Sequence, residues 1–72
     1  MSGNQVTENT HIQDALKMAL EREKRAYDFY REGMEKVKDA GVRELFKEMA
    51  VEERCHMSRI QAEIDREILR EN

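Results

Sequence analysis

From Ile12 onward, apolar and small residues recur at alternating steps of four and three: Ile12, Leu16, Ala19, then Glu23, then Ala26, Tyr30, Gly33 and Val37. Such spacing lays one stripe along a helix that packs lengthwise against another helix. Leu20, Tyr27 and Met34 widen the stripe on one flank. A second stripe, Val42, Phe46, Met49, Glu53, His56 and Ile60, continues through Ile64 and Ile68 with the same steps. The pattern predicts an all-α fold, with helix one at about 11–38 and helix two at about 40–70, forming a single hairpin over 10–72. Residues 1–9 are polar and aperiodic and are expected to form a flexible N-terminal tail.

The helix ends have their own signals. Thr10 followed three residues later by Gln13 matches a capping box, and Asp14 places a favourable charge in the first turn. Lys36 and Lys38 suit a helix C-terminus. Asp39-Ala40-Gly41 is the turn-like point in the body of the chain, with Asp39 as the expected cap of helix two. A connection this short makes the helices antiparallel. Gly33 on the seam weakens helix one by about 1 kcal/mol relative to alanine, a cost that a close helix approach would offset. The outer faces carry mixed charges, including Glu32–Lys36 and Glu44–Lys47, and pairs of this kind add only a few tenths of a kcal/mol (~0.2–0.5) each.

Three residues break the apolar stripes. Glu23 is the one charge on the first, and Glu53 and His56 interrupt the second between Val42 and Ile60. Glu-x-x-His is weak evidence alone, since twelve glutamates in 72 residues put one three positions before a histidine about one time in six. Position adds to it. Counted from Asp39, Glu23 lies 16 residues back, and Glu53 and His56 lie 14 and 17 residues forward. At about 1.5 Å rise per residue, all three reach nearly the same height in a hairpin. Two carboxylates in one core layer cost several kcal/mol (roughly) unless something neutralises them. Either a metal ion lies between them, or Arg22, Arg25 or Arg54 folds in to pair with the acids.

A lone hairpin would leave half of each apolar stripe wet. A second hairpin must cover it, and a second copy related by a two-fold axis is the simplest source. The expected product is a homodimeric four-helix bundle in which four carboxylates and two imidazoles face one cavity. Higher assembly is left open.

Composition narrows the function classes. Charged residues make up 40% of the chain, aromatics 6%, and there is no proline, a mixture suited to long solvated helices. Sixteen acids against 13 bases, interleaved throughout, exclude a nucleic-acid surface. The longest apolar runs, such as Met18-Ala19-Leu20, are too short for a membrane span, and residues 1–10 lack the plan of a signal peptide. A single cysteine makes no internal disulfide, so a cytoplasmic location is expected, with Cys55 a flank thiol beside the site. Met18, Met34, Met49 and Met57 serve as adaptable core filling, and His11 belongs to the surface.

Glu23-x-x-Ala26-x-x-x-Tyr30 followed by Glu53-x-x-His56, with Glu44-Leu45-Phe46-Lys47-Glu48-Met49-Ala50 before it, resembles one half of the ferritin-like superfamily. The likeness covers roughly residues 12–64 and is nearest the rubrerythrin type. With one hairpin in place of two, the chain is similar to half-size members, including encapsulated ferritins, which assemble the site across a subunit interface. Neither a rubredoxin domain nor a C-terminal tail that would target a protein shell is seen in these 72 residues; a cytoplasmic location is expected, with encapsulation in a protein shell left open.

The resemblance implies a di-iron site with ferroxidase-type oxidation of Fe(II) by oxygen or peroxide. Glu53 would bridge the two metals, Glu23 and His56 would each hold one, and Tyr27 or Tyr30 would either pack or hydrogen-bond to a ligand. Carboxylates with one imidazole per metal suit iron or manganese, and other divalent ions are compatible. Two readings stay open beside it: a helical-hairpin adaptor whose acids are merely tolerated, and a metal-binding protein without turnover.

Overall fold

The computed structural model describes residues 6–7 and 10–71. It is an antiparallel pair of helices, α1 at Ile12–Lys36 and α2 at Ala40–Glu71, with no strand among the described residues. The stretch expected to be a flexible tail lies largely outside the described residues, as does Asn72.

The start of α1 departs from expectation. His11 holds the N-cap position in extended backbone and makes no side-chain capping bond. The Thr10 hydroxyl accepts the Thr7 N–H at 3.0 Å, and the Thr10 N–H donates to the Thr7 carbonyl at 3.1 Å. The Thr10–Gln13 capping box is therefore not formed, because its hydroxyl is engaged upstream and the cap falls one residue later. At the other end, the Val37 N–H closes the last turn onto the Gly33 carbonyl at 2.9 Å.

The cap of α2 forms as its chemistry dictates. Asp39 Oδ1 accepts the Val42 N–H at 2.9 Å, and the Asp39 carbonyl accepts the Arg43 N–H at 3.0 Å. Gly41 lies inside the first turn of α2, and no described residue has a positive φ. The bend is thus made by Val37, Lys38 and Asp39 and does not draw on glycine's freedom.

The two helices form a single layer, 48 × 30 × 14 Å, about one helix diameter thick. Only Ala50 and Ile64 fall to 5% exposure among the described residues, and no residue of α1 is buried. On α2, Ala50 and Ile64 are buried, and Phe46, Met49, Glu53, Met57, Ile60, Glu63 and Glu67 are half-buried. This corrects the expected stripe: Val42, His56 and Ile68 are exposed, and Ala50 and Met57 join the inner face. Both stripes alternate threes and fours, so apolar spacing alone does not choose between them. Ala50 is small enough to let α1 come close.

Near the bend the packing is aromatic. The Phe46 ring lies 5.8 Å from Tyr30 and 6.1 Å from Phe29, and Phe29 meets Tyr30 edge-on at 5.5 Å. Phe46 also lies directly over Gly33, where any Cβ would overlap two of its ring carbons. The seam glycine is where the helices approach through a missing side chain. Among the surface pairs, Lys36–Glu32 is present at 3.2 Å, whereas Lys47 has no ion pair with Glu44.

Candidate metal centre

Two helices at this spacing bring Glu23 of α1 opposite Glu53 and His56 of α2. His56 Nδ1 lies 3.3 Å from Glu23 Oε1 and 3.2 Å from Glu53 Oε1. One donor atom from each residue lies within 4.8 Å of the others. The equal-height argument from the bend therefore describes the actual meeting of these side chains, 33 residues apart in sequence for the Glu23–His56 contact.

The three groups differ in exposure. The Glu53 side chain is 16% exposed, Glu23 28% and His56 49%. The carboxylates are rooted between the helices, and the imidazole reaches them from the open side. With a proton on Nδ1, that one N–H donates to both carboxylates, and each contact is longer than the usual charge-assisted bond of about 2.7–2.9 Å. Two acceptors share one donor, so neither is fully satisfied. Donors around a six-coordinate ion at about 2.1 Å stand about 3 Å apart, close to the two distances from His56 Nδ1 to the carboxylates. Two hard oxygens and a borderline nitrogen fit iron, manganese or another divalent ion.

No arginine neutralises the pair. Among the described residues, Arg22, Arg25 and Arg54 make no ion pair with Glu23 or Glu53, whose one cationic neighbour is His56 when protonated. Arg54 lines a separate groove with Tyr27, Arg31 and Lys47. Tyr27 is held there: its hydroxyl accepts from Arg31 Nη1 at 3.5 Å, and the guanidinium lies 5.7 Å from its ring centre. Tyr30 belongs to the aromatic trio. Neither hydroxyl bonds to Glu23, Glu53 or His56 among the described residues. Cys55 is exposed beside Val51 and Ser58, away from the donors.

Glu23 and His56 open into a groove of about 490 Å³ whose walls include Leu16, Ile60, Arg59 and Glu63. Sequence reasoning missed Arg59 and Glu63. Their signal was present: they follow His56 by three and seven residues and so share its helix face.

A profile of the family DUF2383, described as a domain of unknown function, matches residues 11–69, and the chain belongs to that family. No curated protein and no solved structure matches the chain. No helix among the described residues is long and apolar enough to cross a membrane.

Proposed function

We propose that this DUF2383 chain is a half-size ferritin-like di-iron protein. It dimerises into a four-helix bundle and oxidises Fe(II) with oxygen or peroxide at a site shared by two subunits. The observation that carries the proposal is the convergence of Glu23, Glu53 and His56 within 4.8 Å of one another, with no arginine or lysine ion-paired to either carboxylate among the described residues. A two-fold partner supplies the same three donors. Together they make the set of di-iron bundles, one Glu from each of two helices and Glu-x-x-His from each of the other two.

Each residue has a task set by its place. Glu53, the least exposed, would be the carboxylate shared between two metal ions, and Glu23 and His56 would each hold one of them. Coordination through Nδ1 would need the His56 tautomer that carries its proton on Nε2. Four carboxylates against two divalent cations leave the core nearly neutral, and without metal the acids repel and loosen the dimer. Two ferrous ions bound there would supply two electrons, which with two protons take oxygen to hydrogen peroxide or hydrogen peroxide to water, leaving ferric iron. Met49 and Met57, on either side of the donors along α2, help keep water from the layer.

Oxygen consumption after anaerobic loading with Fe(II), measured beside Glu53→Ala, tests this. Uptake of oxygen or peroxide by the wild type and not by the variant is expected. Retained iron with neither oxidant consumed would leave a metal-binding protein without turnover and would overturn the ferroxidase assignment.

A further inference from the structure

The flank that carries His56 continues along α2 in steps of four and three: Leu45, Met49, Glu52, His56, Arg59, Glu63. These residues share one face by helical periodicity. Arg59 and Glu63 line the same open groove as His56 and Glu23. Leu45 on this stripe is half exposed, as an interface residue of a single subunit would be. Glu63 is already paired with Arg66 at 3.0 Å. Glu52 and Arg59 are exposed, and neither makes an ion pair among the described residues.

These two charges are arranged about His56 in a particular way. Glu52 precedes it by four residues and Arg59 follows it by three, roughly 6 Å and 4.5 Å along the axis at 1.5 Å per residue. A site shared by two copies requires their donors to converge, so the two-fold axis must cross at the height of Glu53 and His56. If it crosses perpendicular to α2 beside His56, the two α2 helices run antiparallel across it, and each residue before His56 faces one about as far after it. Glu52 then meets the partner subunit's Arg59, and Arg59 meets the partner subunit's Glu52. Shifting the axis two residues toward the bend would instead set Arg59 against the partner subunit's Met49 and Glu52 against the partner subunit's His56, so Arg59 loses its partner and Glu52 faces a metal ligand.

We propose that α2 packs on α2 of a second copy through this stripe, and that reciprocal Glu52–Arg59 pairs fix the register on either side of the metal layer. The inference rests on the shared-site reading and adds to it which helices meet and which residues set their alignment. Opposite charges placed this way serve alignment more than raw affinity, since a wrong register puts each against apolar or like-charged groups.

The test is a charge swap between subunits, read by anaerobic sedimentation equilibrium of the ferrous-loaded chain. Glu52→Arg alone places four cations at the two contacts, and Arg59→Glu alone places four anions. Each should weaken the dimer about tenfold or more. An equimolar mixture of the two variants restores both pairs in a heterodimer and should associate as tightly as the wild type. That rescue also excludes misfolding as the cause of either single defect. Single variants that dimerise like the wild type, or a mixture no tighter than its components, would overturn the inference. If the wild type still retains iron in that case, the shared site stands and only this interface falls. A wild type that is monomeric and retains no iron overturns both.

Discussion

Gly33→Ala should destabilise the protein, against the helix preference of the two residues. Propensity alone favours alanine in a helix interior by about 1 kcal/mol. At Gly33 the added methyl would overlap Cδ2 and Cε2 of Phe46. The ring cannot simply swing away, because its centre lies 5.8 Å from that of Tyr30 and 6.1 Å from that of Phe29. Overpacking of this kind costs about 1–3 kcal/mol, and a lost aromatic pair adds about 0.5–1.5 kcal/mol. Set against the propensity gain, the net loss is about 0.5–3.5 kcal/mol per chain. Thermal unfolding followed by circular dichroism reads it, at one protein concentration because a dimer's midpoint depends on concentration. A domain of 60–100 residues shifts by about 4–8 °C per kcal/mol, so a fall of at least about 2 °C is expected. In a Phe46→Leu background the same substitution should become neutral or favourable, since the shorter side chain vacates the space. A higher midpoint for Gly33→Ala in the otherwise wild-type chain would refute the close approach of α1 and α2, and with it the spacing that lets Glu23 reach His56.

Other substitutions separate packing from chemistry. Asp39→Ala removes the acceptor of the Val42 N–H and should cost about 1 kcal/mol, whereas Asp39→Asn should retain most of the stability; equal loss in both would argue against the cap. His56→Gln should shift stability by no more than about 0.5 kcal/mol, as expected for a half-exposed side chain, while abolishing iron retention on desalting. Unchanged retention would remove the imidazole from the donor set. Tyr27→Phe and Tyr30→Phe should leave oxygen consumption after ferrous loading within about twofold of wild type, or about 0.4 kcal/mol, because neither hydroxyl touches the donors. A tenfold loss in either would restore a direct role for that hydroxyl.

The sequence carried the hairpin clearly because two independent signals agreed. The three-and-four stripes specify packed helices, and Asp39 marks the break between them with a side chain that does cap α2. The meeting of Glu23, Glu53 and His56 was legible for a simple reason: helical rise is constant, so distance from the bend fixes height. Rotation about the helix axis was less legible. Residues 49 and 50, or 56 and 57, are one helical step apart, and hydrophobicity does not distinguish Met49 from Ala50 or tell that His56 belongs to the flank. The size of the side chain opposite decides that, and here Ala50 is buried and His56 is not. Thr10 shows the same limit at a terminus. Its hydroxyl had two acceptable uses, and Thr7, which no helix pattern includes, took it. The tyrosines were ambiguous because an aromatic ring on a seam and a hydroxyl near a ligand have identical spacing; Arg31 holds Tyr27 away.

The central claim is that Glu23, Glu53 and His56 hold a metal ion, and that two copies share the site. Iron content per chain after anaerobic ferrous loading and desalting tests it most directly, with Glu53→Ala carried in parallel and the mass of the eluting species determined on the same column. The account predicts about one iron per chain in a wild-type dimer and none in the variant. No retained iron in the wild type, or equal retention in both proteins, would contradict it and leave the acids as tolerated charges in a helical hairpin.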